Sequence, residues 1–130
     1  MFFASDNAGP ASPKVMERVI AANTDYAMPY GKDPIMDEVR AQIRETFEAP
    51  EAAVYLVATG TAANALALAC YTQPWQTIFC ASVAHIEEDE CNAPEFYAGA
   101  AKLTLIPTED KMAPEALRAA IAARTAGDVH

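Results

Sequence analysis

The stretch at residues 54–70 constrains the chain most. A short apolar run at 54–58 enters Thr59-Gly60-Thr61, and a run rich in alanine and leucine follows to Cys70. The pattern predicts a strand, a tight turn and a helix of strong helix formers. A turn of this kind aims its backbone N–H groups, and the positive end of the helix dipole, at one point, which makes a seat for a phosphate. Gly60 permits close approach of the backbone, and Thr59 and Thr61 add hydroxyl donors. An ordinary strand-to-helix connection with a threonine cap reads equally well from the same local pattern.

The flanking sequence repeats the alternation. Ser12 before Pro13 is a cap followed by proline at the first helical position, so a helix is expected to about Ala22, with Val15, Val19 and Ile20 on one face. Asp33-Pro34 repeats the signal and opens a helix to about Phe47, with Ile35, Val39, Ile43 and Phe47 on its face. Further strands are expected at 76–80 and 102–106, and Pro114 begins a last helix that ends near Gly127. Strands alternating with helices imply an α/β fold with a parallel sheet. Three strands leave edges unpaired and apolar faces uncovered, and residues 127–130 look like a helix exit running into another strand. The expectation is therefore the N-terminal part of a larger protein, one that associates with copies of itself or with a missing segment.

Composition narrows the class. The chain has 130 residues, 52% of them apolar and 21% charged, which suits one soluble domain. A net charge of −9 with few, scattered Lys and Arg argues against a nucleic-acid footprint. No apolar run is long enough to span a membrane and no leader pattern is visible, so a cytoplasmic location is the default. Cys70, Cys80 and Cys91 lack zinc spacing and read as reduced thiols.

His85 follows the strand at 76–80, at the sheet edge where open α/β sheets bind ligands. Beside a phosphate seat it suggests a flat phosphorylated ligand, with the imidazole as stacking face or acid/base. A satisfied surface or core histidine is the plainer reading for an isolated His. Glu87, Glu88, Asp89 and Glu90 come next and read as a solvated acidic face at a helix N-terminus. His85 with Glu88 or Asp89 could begin a metal site, but no second His or Cys completes one. Ser5-Asp6-Asn7 reads as a turn and Tyr30-Gly31-Lys32-Asp33-Pro34 as a capped helix entry, neither specific alone.

In order, these pieces form a specific set. The chain resembles the low-specificity L-threonine aldolases of the β-eliminating lyase group, which are pyridoxal-phosphate enzymes of the aspartate-aminotransferase-like fold (fold type I). The resemblance rests on Phe3-Ala4-Ser5-Asp6-Asn7, Tyr30-Gly31-Lys32-Asp33-Pro34, Thr59-Gly60-Thr61-Ala62-Ala63-Asn64 and Ala84-His85-Ile86, and it runs through nearly the whole chain. It implies the N-terminal portion of the large cofactor-binding domain at 13–130, behind an arm at 1–12. It also implies that Thr59, Gly60 and Thr61 hold the cofactor phosphate and that His85 stacks on the pyridine ring. Ser5 would help bind the substrate carboxylate, and Tyr30, near the active site and a subunit interface, would also be substrate-binding. Glu90 matches an acidic position of the family.

Two departures stand out. Asn7 and Thr59 replace the family's usual Thr and Ser, so the substrate preference of a divergent subgroup is open. The lysine that carries the cofactor, the acid that holds the ring nitrogen and the carboxylate-binding arginines are implied to lie beyond residue 130. Lys14, Lys32, Lys102 and Lys111 sit in helix, loop, strand-start and loop positions, unsuited to that role. The implied activity of the whole enzyme is cleavage of threonine and related β-hydroxy-α-amino acids to glycine and an aldehyde, in a homodimer or homotetramer. This piece alone is expected to be inactive. Another β-eliminating lyase of the same fold, or a non-catalytic α/β module that binds a phosphorylated ligand, are the alternatives.

Overall fold

A computed structural model describes residues 8–124, which divide between Val54 and Tyr55 into two compact units. Ser5, Asp6, Asn7, Gly127 and His130 lie outside the described residues. The last helix, expected to end near Gly127, stops at Ala122 within them.

The first unit is built on two helices, α1 (Pro13–Ala22) and α2 (Pro34–Thr46), each with proline in its first turn as the sequence predicts. Their caps differ. The Asp33 side chain accepts from the Met36 N–H at 2.9 Å, whereas Ser12 makes no side-chain cap bond. Helix α2 closes with a Schellman motif: the Glu48 N–H bonds the Glu45 carbonyl and the Ala49 N–H bonds the Arg44 carbonyl. Glu48 occupies the left-handed position at φ 51°. No residue of α1 or α2 is buried.

The second unit holds α3 (Gly60–Tyr71), β1 (Thr77–Ala81), α4 (His85–Glu88), α5 (Ala93–Tyr97), β2 (Lys102–Ile106) and α6 (Pro114–Ala122). Strands β1 and β2 pair in parallel, in register from Thr77 with Lys102 to Ala81 with Ile106. Ile78 and Cys80 alternate inward along β1. The core gathers Ile78, Ala98 and Ala101, with Leu68, Ile86 and Leu103 packed against it. A second Schellman motif ends α5: the Gly99 N–H bonds the Phe96 carbonyl and the Ala100 N–H bonds the Glu95 carbonyl. Gly99 is required there twice over. Its φ is +69°, and a Cβ would lie 2.8 Å from the Pro74 side chain.

Three expectations need correction. The apolar run at 54–58 is not a strand, because no described segment pairs with it and a strand exists only through its ladder. The expected three-stranded sheet is therefore two-stranded over the described residues. The second strand spans Thr77–Ala81, one residue later than expected. The helix expected at the acidic run is α4, only four residues long, and α5, of five residues, shows too little periodicity to read.

Candidate functional site

Helix α3 begins where the sequence places its turn. Thr59 is the N-cap, and its Oγ1 accepts from the Ala62 N–H at 3.1 Å while its carbonyl accepts from the Ala63 N–H. That leaves the Gly60 and Thr61 N–H groups with no partner among the described residues. Gly60 faces open space, since a Cβ built on it would meet nothing within 4 Å. Two free donors at a helix N-terminus with room before them suit an anion in charge and in shape. The glycine is not there for an unusual φ; it keeps the approach clear.

His85 is the first residue of α4, four positions past the end of β1. Parallel pairing carries beyond β1, because the Ser82 N–H bonds the Ile106 carbonyl. Ser82 and Thr108 then exchange hydrogen bonds at 3.0 Å through the serine hydroxyl, tying together the chain segments that leave the two strands. The loop bearing His85 thus springs from a fixed carboxyl-terminal sheet edge.

One carboxylate joins the two features. Glu90 is 2% exposed, and its Oε1 accepts from Asn64 Nδ2 of α3 at 2.7 Å and pairs with His85 Nδ1 at 2.8 Å. The His85 side chain is 65% exposed, so one ring nitrogen is anchored while the remainder of the ring is open. The expected solvated acidic face is therefore right for Glu87, Glu88 and Asp89, which are exposed, and wrong for Glu90. Between Glu90 and α5 stand two consecutive left-handed residues, Cys91 at φ 51° and Asn92 at φ 59°. The Glu90 Oε2 is buried and has no hydrogen-bond partner among the described residues. Neither Asn64 nor Glu90 was singled out as a partner of His85. The available signal was Asn64 itself, the only polar side chain between Ala62 and Cys70 in an otherwise small and apolar helix.

Tyr30 lies in the first unit, 95% exposed, in a turn where it and Gly31 both have positive φ, 62° and 69°. Arg40 of α2 donates to the Gly31 carbonyl at 2.9 Å and fixes that turn. Ser5 is outside the described residues. No group of three or more metal-binding side chains exists among the described residues. All three cysteines are free thiols; burial, with Glu87 and Glu95 adding repulsion, pushes the Cys80 thiol above its ordinary 9.0. A cleft of about 540 Å³ lies elsewhere, lined by Trp75, Thr77, Lys102 and Arg124 at the start of the strands. No described helix is long and apolar enough to cross a membrane.

The architecture is shared with a solved structure of Leishmania major threonine aldolase, with a TM-score of 0.82 over 92% of this chain and 35% of that one, at 23% identity. The fold is thereby that of the type I pyridoxal-phosphate enzymes. Residues 3–130 match the beta-eliminating lyase family, and the chain belongs to it. Two curated relatives, each a low specificity L-threonine aldolase, are 38% identical in Pseudomonas aeruginosa and 35% identical in a Pseudomonas species. Both alignments cover 117 residues, 89% of this chain, and the chain spans about a third (34%) of the length of either relative. The family is pyridoxal-phosphate-dependent.

Proposed function

We propose that the whole protein is a pyridoxal-phosphate carbon–carbon lyase that cleaves L-threonine, L-allo-threonine and related β-hydroxy-α-amino acids to glycine and an aldehyde. The observation that carries this reading is the 38% identity to a low specificity L-threonine aldolase over a segment that includes the Thr59-capped helix and the Glu90-anchored His85.

The described residues fit the cofactor. Its phosphate is a dianion, and the start of α3 offers unpaired N–H groups, a threonine hydroxyl and open space. When bound, the cofactor supplies an electron sink for the carbanion left by bond cleavage. Gly60 and Thr61 would bind the phosphate through backbone N–H groups, with the Thr59 and Thr61 hydroxyls as further donors. His85 would lay its open ring face against the pyridine and hold or move a proton at Nε2. Ser5 and Tyr30 keep the substrate-binding roles that the resemblance implies.

Residues 1–12 then serve as an arm and residues 13–130 as the first portion of the cofactor-binding domain. Lys14 lies in α1, Lys32 and Lys111 in loops and Lys102 at the start of β2, and none of them matches the place the resemblance implies for the cofactor-bearing lysine. The whole enzyme is a cytoplasmic homodimer or homotetramer in threonine and glycine metabolism. Exposed large apolar side chains such as Phe47 and Tyr55 support such assembly.

The test is aldehyde release by the full-length protein supplied with pyridoxal phosphate. L-threonine and L-allo-threonine should yield aldehyde and glycine in equal amounts. Turnover of an amino acid with a β-leaving group, with none of threonine, would favour a β-eliminating activity instead.

A further inference from the structure

Glu90 is a buried carboxylate that accepts two hydrogen bonds on one oxygen, from Asn64 on α3 and His85 on α4. A carboxylate accepts and does not donate, so the proton between Glu90 and His85 sits on Nδ1. In the neutral ring the other nitrogen, Nε2, then carries a lone pair. Asn64 matters because its amide is the second donor to the same oxygen and ties Glu90 to the helix whose N-terminus forms the phosphate seat. The two residues that follow Glu90, Cys91 and Asn92, both have left-handed backbone.

We propose that Glu90, braced by Asn64, is a positioning residue that locks His85 as the Nδ1–H tautomer and so makes Nε2 a proton acceptor held in fixed register with the helix carrying the phosphate seat. The role in turnover rests on the lyase reading above; the tautomer does not. In water a histidine ring favours the other tautomer, with the proton on Nε2, so the lock is measurable.

The experiment is nitrogen NMR of the imidazole in the full-length protein at a pH where His85 is neutral, with the signal assigned by its loss in His85→Asn. The expected result is a protonated, pyrrole-like Nδ1 and an unprotonated, pyridine-like Nε2. A protonated Nε2 in the unmodified protein would overturn the proposal, whatever any variant does. In Glu90→Ala the ring should lose the Nδ1–H preference, and kcat for threonine cleavage should fall about a hundredfold with KM changed less. Glu90→Gln retains an acceptor oxygen and should restore both the tautomer and most of the turnover. A Glu90 variant with a switched tautomer and undiminished kcat would also overturn it. If the full-length protein releases no aldehyde from threonine, the lyase reading falls, and the tautomer in the unmodified protein still decides the lock.

Discussion

The two units use similar local devices to different ends. Both have proline-led helices and a Schellman ending, at Glu48 in the first unit and at Gly99 in the second. Yet among the described residues every buried side chain, from Ala65 to Ile106, belongs to the second unit. Caps and propensities are enough to set where helices α1 and α2 start and stop. They do not bury anything, and most of the stability of a helix comes from packing its apolar face. The anchored histidine is found where burial is found, because a carboxylate can be held without water only where neighbours donate to it.

The largest effect that could break this comparison is a core deletion. Ile106→Ala, at a buried strand position, should cost about 2–5 kcal/mol in denaturant unfolding of the full-length protein. Val19→Ala, on the half-exposed face of α1, should cost less than about 1 kcal/mol. Equal costs would mean that the α1 face is buried in the whole protein, and the contrast between the units would vanish.

The two Schellman motifs sharpen it further. Gly99→Ala should destabilise by about 1–3 kcal/mol, since it meets both a positive φ and the Pro74 ring. Glu48→Gly, the reverse exchange at a position of the same handedness, should gain a few tenths to about 1 kcal/mol. A loss at Glu48→Gly would show that the Glu48 side chain makes contacts in the whole protein that outweigh its backbone strain.

A smaller effect comes from Cys80. Its thiol is buried and raised, so it should react with a thiol reagent far more slowly than the exposed Cys70 and Cys91. The sign of its pH dependence follows from linkage. Above about pH 9 the unfolded chain releases the Cys80 proton and the folded chain retains it, so stability should fall with rising pH. Cys80→Ala should abolish that part of the alkaline loss, as unfolding measured across this range would reveal.

What could be read from the sequence follows the same division. Helices α1, α2, α3 and α6 and the strand β2 were legible because each carries its own start signal or alternation within a few residues. The run at 54–58 was read as a strand from composition, but strand formation depends on a partner that no local pattern supplies. The places of Thr61 in the first turn of α3 and of His85 just past β1 were legible. The bonds through Glu90 were not, because they join residues 26 apart and five apart in the chain, neither of which is a helical or strand spacing. The run Glu87, Glu88, Asp89 and Glu90 looks uniform as sequence. Its last carboxylate differs from the solvated three by lying past the end of α4, buried and bonded to Asn64 and His85.

The central claim is that the start of α3 seats the phosphate of the cofactor. Titration of the full-length protein with pyridoxal phosphate, followed by the visible absorption of the bound cofactor and repeated with Thr61→Ala, tests it most directly. Loss of one hydrogen bond to a charged group, about 1.5–3 kcal/mol, should weaken binding roughly ten- to a hundredfold. An unchanged affinity in Thr61→Ala, or a protein that stays colourless with added cofactor, would contradict it.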